Sequence, residues 1–191
     1  MDNPYISDAA VFLINTVFNL YIFAVLLRFL MQWVRADFYN PVSQFVVKIT
    51  NPPLRPLRRV IPGLGGIDLA SVILLIALEM INLALLNLAV GRVSSALGLV
   101  VTAIAELLST TITLFFITIL IEVILSWIAA GAYNPVVYLV HQLNSPLLAP
   151  ARRLIPSIGG IDLSPLVVVI VLQLLRYLVV APLMDLGHGM G

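Results

Sequence analysis

With an offset of 94 residues and no gap, the stretch from Asn40 to Leu69 recurs from Asn134 to Leu163, and 16 of the 30 paired positions are identical. Shared hydrophobicity does not hold Asn40-Pro41, Arg58-Arg59, Gly65-Gly66 and Asp68 in register with Asn134-Pro135, Arg152-Arg153, Gly159-Gly160 and Asp162. The chain must therefore be built from two copies of one unit. Trp33 and Trp127 keep the same offset upstream, so the unit is longer than the stretch itself.

Each copy lies between two long apolar runs. Residues 11–31 and 69–90 flank the first, and residues 107–128 and 163–184 flank the second; at 1.5 Å per residue each run crosses a bilayer once as a helix. With 61% of the 191 residues hydrophobic and 10% charged, the chain lacks the polar surface that would enclose such runs in water. The predicted fold class is an all-α membrane protein of four transmembrane helices, arranged as two tandem parallel helix-loop-helix repeats. Residues 1–92 form the first repeat, residues 93–106 a linker or interfacial segment, with the start of a long tilted helix as the open alternative, and residues 107–191 the second repeat.

Two crossings per copy leave both copies in the same orientation. Arg35, Lys48, Arg55, Arg58 and Arg59 lie in the first hairpin loop and Arg152 and Arg153 in the second, whereas Arg92 is the only basic residue of the central connection. The bias of Lys and Arg toward the cytoplasm then predicts cytoplasmic loops and both termini outside. No Lys or Arg precedes the first run, which is unlike a signal peptide and predicts a retained helix.

Within each loop, Asn40 and Asn134 are suited to N-cap a helix whose first turn admits Pro41 or Pro135. Val42, Phe45, Val46 and Ile49 recur on one face, as do Val136, Leu139, Val140 and Leu143, which predicts a short interfacial helix in each copy. Pro52 and Pro146 are expected to stop these helices, and Pro56, Pro62, Pro150 and Pro156 to keep a stiff Pro/Gly-rich segment from resuming them. Gly65-Gly66 and Gly159-Gly160 permit the turn; Asp68 and Asp162 are placed to cap the return helices by accepting backbone hydrogen bonds. The pairs Arg58-Arg59 and Arg152-Arg153 carry two readings, as headgroup-level anchors that enforce orientation or as contacts to an anionic lipid or acidic protein segment.

Four charges fall inside apolar runs. Glu79 and Arg176 are costly there unless they face protein or water, and each is a candidate partner for the other. Arg28 and Glu122 stand 94 residues apart, so parallel repeats bring these opposite charges together, with snorkelling of Arg28 to the headgroups as the alternative. Glu79, Asn82, Asn87 and Gln173 form a polar seam, read either as a path for an ion or as hydrogen bonding between helices.

The absence of cysteine excludes disulfides, thiolate metal sites and cysteine nucleophiles. His141 and His188 alone give a His-based metal or haem site little support, and no phosphate loop, H-E-x-x-H or G-x-S-x-G pattern occurs. No catalytic, cofactor-binding or metal-binding residue is assigned, and an enzyme is not expected. There is no long basic aromatic stripe, so direct nucleic-acid binding is not expected either.

The pattern NP…P…RR.IP..GGIDLSP is carried by Pro52, Pro56, Arg58, Arg59, Ile61, Pro62, Gly65, Gly66, Ile67 and Asp68 in the first copy. Pro146, Pro150, Arg152, Arg153, Ile155, Pro156, Gly159, Gly160, Ile161, Asp162, Ser164 and Pro165 carry it in the second. It resembles the YggT family, called YlmG in some bacteria, over both hairpins; Ala70-Ser71 departs from the Ser-Pro ending. The resemblance implies a multi-pass protein of the bacterial inner membrane without a cofactor. Relatives in the family are associated with osmotic or ion homeostasis, with division-linked genomic neighbourhoods and, in plastids, with membrane-complex assembly or nucleoid organisation. The expected role is assembly or scaffolding, in which rigid cytoplasmic loops meet membrane lipids or a membrane or cytoplasmic protein partner. Ion transport or osmotic homeostasis through the polar seam is the alternative, and a homo-oligomer is compatible with both.

Overall fold

The computed structural model describes residues 4–92, 94–128, 134–155 and 162–190. Helices α1 (Pro4–Trp33), α2 (Pro41–Val60) and α3 (Leu69–Ala89) come from the first copy. Helices α4 (Ala96–Ile128), α5 (Pro135–Leu154), α6 (Ser164–Leu175) and α7 (Ala181–Gly189) come from the second, a π turn over Arg176–Val180 joining the last two. Asp8–Trp33, Leu69–Ala89, Ala96–Ile128 and Ser164–Gly189 are long and apolar enough to cross a membrane. The chain is an all-α, multi-pass membrane protein.

Helix α1 packs along α3, α3 along α4, and α4 along α6 and α7. The loop helices fill the angle at one end of each hairpin, α2 against α1 and α3, α5 against α4 and α6. Leu54 of α2 and Leu148 of α5, 94 residues apart, are both at 0% exposure, which marks these helices as parts of the core rather than surface appendages.

Of the two forms left open for residues 93–106, the structure has the long helix: α4 runs unbroken from Ala96. Its first turns have a partner in the end of α7. A Cβ on Gly187 would come within 2.3 Å of the Thr102 hydroxyl oxygen, and one on Gly98 within 2.8 Å of the Gly187 carbonyl oxygen. Small residues on both helices let the backbones approach. The 33-residue α4 is about 50 Å long, so it exceeds the roughly 30 Å of hydrocarbon.

The expected stop at Pro52 and Pro146 is also corrected. Helix α2 continues through Pro52, Pro53 and Pro56, and α5 through Pro146 and Pro150. Each interior proline removes the N–H that would bond the carbonyl four residues earlier, and a helix survives this more easily where another donor serves that carbonyl. Pro53 frees the carbonyl of Ile49, to which the Tyr21 hydroxyl of α1 donates at 3.4 Å. Two turns further along the same face of α1, Arg28 donates through Nη1 to the Val47 carbonyl at 3.3 Å, Thr50 Oγ1 at 2.8 Å and Asn51 Oδ1 at 2.9 Å. In the second copy Leu147 replaces Pro53 and keeps its N–H, and Phe115 replaces Tyr21 and has no hydroxyl.

Candidate functional site

Asn40 and Asn134 start the two loop helices alike. Each Oδ1 accepts from the backbone N–H two residues on, at Val42 and Val136, in both cases at 2.9 Å. Asn40 Nδ2 also donates to the Pro135 carbonyl, and Gln142 Oε1 accepts from the Asp37 N–H at 3.0 Å. The starts of the two loop helices are thereby tied to one another.

At the other end of α2, Arg58 binds Asp68 through Nε at 3.1 Å and through Nη2, which also donates to Gln32 Oε1 at 3.0 Å. Asp68 accepts in addition from the Ser71 hydroxyl. At the end of α5, Arg152 Nε donates to Asp162 Oδ2 at 2.8 Å and Nη2 to Glu122 Oε1 at 3.3 Å. Asp162 Oδ1 accepts from the N–H and the hydroxyl of Ser164. In each copy one guanidinium therefore ties the loop helix, the start of the return helix and the preceding long helix into one clamp.

Burial disfavours the Asp68 carboxylate, but the bonds from Arg58 and Ser71 outweigh it and hold its pKa below the ordinary value. Burial acts the same way on Asp162, and bonds from Ser164 and Arg152 again win, so its pKa is also lowered. Arg152 is raised because Asp162 and Glu122 overcome the opposing effect of burial. Both clamps are thus ion pairs at neutral pH. The expected backbone cap by Asp68 is corrected: it makes no side-chain cap bond to α3, and its bonds from Arg58 and Ser71 all fall on Oδ2.

The arginine pairs do not act as pairs. Arg58 and Arg152 are committed to the clamps, whereas Arg59 and Arg153 are exposed and make no side-chain hydrogen bond or ion pair among the described residues. Arg153 borders a surface cleft of about 400 Å³ with Val34, Gln142, Ser145 and Ala149. Between α2 and α3, after Pro62, Gly65 and Gly66 turn the chain with φ of 60° and 86°, values open to glycine at no steric cost. Leu64 and Ile67 exchange backbone hydrogen bonds around them. Pro156, Gly159 and Gly160 lie outside the described residues.

Arg28 and Glu122 do not meet, contrary to the expectation. Each is satisfied within its own copy, Arg28 on α2 as described and Glu122 on His141 Nδ1 at 3.0 Å, Asn144 Nδ2 at 2.7 Å and Arg152. Thr50 and Asn144 are equivalent positions, so one site on the long helix reaches one site on the loop helix twice, with a cation and then with a carboxylate. Nor does an ion pair join Glu79 to Arg176 among the described residues. Arg176 donates to the Ser109 carbonyl at 3.3 Å and to the Thr113 hydroxyl. Its counterpart Asn82 donates to Asn15, the counterpart of Ser109, at 3.4 Å.

The expected seam is divided. Glu79 and Asn82 are buried in the first hairpin and Asn82 Oδ1 has no partner, Asn87 bonds Ser94 beyond α3, and Gln173 bonds none of them among the described residues. Sequence reasoning missed Tyr21, Gln32, Thr50, Ser71 and Asn144. Their one sequence signal is a polar atom on an otherwise apolar helix face.

Two sets of the same contacts, 94 residues apart, coincide with two matches to the CCB3/YggT family, over residues 7–89 and 101–183. The chain belongs to this family. It is 45% identical over 177 residues to an uncharacterised protein of Pseudomonas aeruginosa, covering 92% of this chain and 90% of the relative. It is 46% identical to an uncharacterised protein in the proC 3' region of Vibrio alginolyticus, covering 87% and 91%. It is 42% identical to the uncharacterised protein YggT of Escherichia coli, covering 93% and 92%. No solved structure matches. Family membership is consistent with a non-enzymatic protein, and no His, Asp and Glu cluster among the described residues could hold a metal.

Proposed function

We propose that the chain is an assembly or scaffolding protein of the bacterial inner membrane whose two parallel repeats hold rigid loop helices on the cytoplasmic side. The observation that carries this reading is the division of labour within each arginine pair. One arginine locks the loop to the bundle, and its neighbour faces outward beside exposed apolar side chains, Val60 next to Arg59 and Leu154 next to Arg153. A cation beside an apolar side chain on a fixed helix end suits the boundary where anionic headgroups meet acyl chains, and it suits an acidic protein segment there for the same reason. Replacing Arg59 and Arg153 by Gln should abolish photo-crosslinking to phosphatidylglycerol or to a membrane-derived protein while the fold persists. Unchanged crosslinking in the inserted double variant would refute the role.

A second reading, cation or proton passage in the membrane, is favoured by one observation: the buried Glu79 lies near Asn82, whose Oδ1 has no partner among the described residues. Vesicles containing the protein should then show a flux that Glu79→Gln suppresses without loss of insertion. No protein-dependent flux across a panel of cations would remove this reading.

A further inference from the structure

The helices of the chain stand in the packing order α1, α3, α4, α6–α7, and α1 makes no packing interface with α6 or α7 among the described residues. A closed twofold between the copies would require one. If α3 of the first copy packs on α4 of the second, then α6, the counterpart of α3, would have to pack on α1, the counterpart of α4. The α3–α4 joint instead relates the copies head to tail, with one face used on the first copy and a different face on the second, although the loop-helix starts meet through equivalent segments at Asn40 and Pro135. Such a relation continues until it closes into a ring or extends as a row.

The internal joint is apolar, with Val72, Leu75 and Ile76 of α3 beside Ile104, Leu107 and Thr111 of α4 around a gap of about 230 Å³. Their counterparts are Leu166, Val169 and Ile170 on α6 and Ala10, Leu13 and Val17 on α1. Leu13, Val17, Leu166 and Ile170 are each at least half exposed, so both halves of a second joint stand open at opposite ends of the row. Apolar exposure alone means only lipid in a membrane protein; here the chain itself shows what covers the equivalent faces.

We infer that a second copy of this chain docks its α1 against α6 of the first, repeating between molecules the α3–α4 joint found within one. The inference rests on the parallel orientation of the repeats, which lets neighbouring molecules share one orientation in the membrane. Because the native chain has no cysteine, single substitutions report cleanly. Leu13→Cys and Ile170→Cys chains carrying different tags should form mixed dimers with a short bis-maleimide in native membranes, each alone should give none, and the double variant should give a ladder or a closed ring. Ile76→Cys with Leu107→Cys in one chain should link internally and serves as the control for fold and reach. Leu13→Cys linking to itself would show a symmetric dimer and overturn the proposal, as would the absence of mixed dimers while the control links. Labelling of Lys48→Cys and Gln142→Cys by an impermeant maleimide separates the premise from the inference. Opposite sidedness overturns both, whereas same-side labelling without mixed dimers overturns the joint alone.

Discussion

Replacing Tyr21 by Phe removes one oxygen atom and nothing else, yet its cost depends on a residue in another helix. Pro53 cannot donate to the carbonyl of Ile49, and the Tyr21 hydroxyl donates to it at 3.4 Å. Removing a hydrogen bond costs about 0.5–1.5 kcal/mol net, and leaving a buried acceptor unpaired about 1–3 kcal/mol. The bond is long and the site part-buried, which places Tyr21→Phe near the lower end, at about 1 kcal/mol. In a Pro53→Leu background the restored N–H serves the carbonyl from within the helix, and the same Tyr21→Phe change should cost close to nothing. The double-mutant cycle should therefore yield a coupling of about 1 kcal/mol, read by reversible unfolding in mixed micelles. Equal costs in the two backgrounds would refute the compensation. The second copy supplies the control: Leu147 keeps its N–H, so Phe115→Tyr should add no stability.

Arg58→Gln should destabilise the first loop by about 1 kcal/mol, an ion-pair value reduced for the partial exposure of the arginine, while Arg59→Gln stays within about 0.5 kcal/mol in the same unfolding assay. The lowered pKa values of Asp68 and Asp162 mean that the clamps contribute stability above the ordinary carboxylate value of 3.8 and lose it as the pH falls below 3.8 through the folded-state values. Hydrogen exchange at residues 63–69, corrected for the intrinsic rate, should accelerate in that window, and Asp68→Asn should remove the dependence. Gly187→Ala should cost about 1–3 kcal/mol by overpacking because its Cβ meets the Thr102 backbone; Gly189→Ala, with open space around it, should be nearly neutral, and thermal melts in detergent distinguish the two.

What the sequence disclosed followed from periodicity and from the repeat. Four apolar runs and a 94-residue offset are enough for four spanning helices, and Asn-Pro marks both loop-helix starts. The misreadings share one physical source, which is that local rules were applied where tertiary contacts decide. Proline ends a helix only if no other donor covers the freed carbonyl, and Tyr21 lies far from Pro53 in sequence. Residues 93–106 stay open in the sequence between an interfacial linker and a long helix because the close approach of Gly98 and Gly187 is invisible in one dimension. The 94-residue offset put Arg28 and Glu122 at equivalent positions, but equivalence says nothing about adjacency. Opposite charge then suggested a pair that the nearer loop helices make unnecessary.

The inversion at that position reveals how the copies diverged. Arginine only donates hydrogen bonds and a carboxylate only accepts them, so the loop helix beneath must present the complementary chemistry. Beneath Arg28 lie acceptors: the Val47 carbonyl, Asn51 Oδ1 and Thr50 Oγ1, whose own proton goes to the Val46 carbonyl at 2.6 Å. Beneath Glu122 lie donors, Asn144 Nδ2, Arg152 and His141 Nδ1, with Thr118 donating to Asn144 Oδ1 at 2.7 Å and so fixing which end of the amide faces the carboxylate. Val47 and Thr50 have become His141 and Asn144 in the same register. The charge and its bed have therefore changed together. Arg28→Glu alone should set a carboxylate, buried at 5% exposure in the native arginine site, against acceptors, at a cost of about 3–5 kcal/mol, the range for a buried charge left without its partner. Adding Val47→His and Thr50→Asn should recover most of that loss by rebuilding the donors of the second copy. Recovery measured by unfolding of the triple variant against Arg28→Glu decides the matter: no gain from the two loop-helix changes would mean that the beds are not what distinguishes the copies.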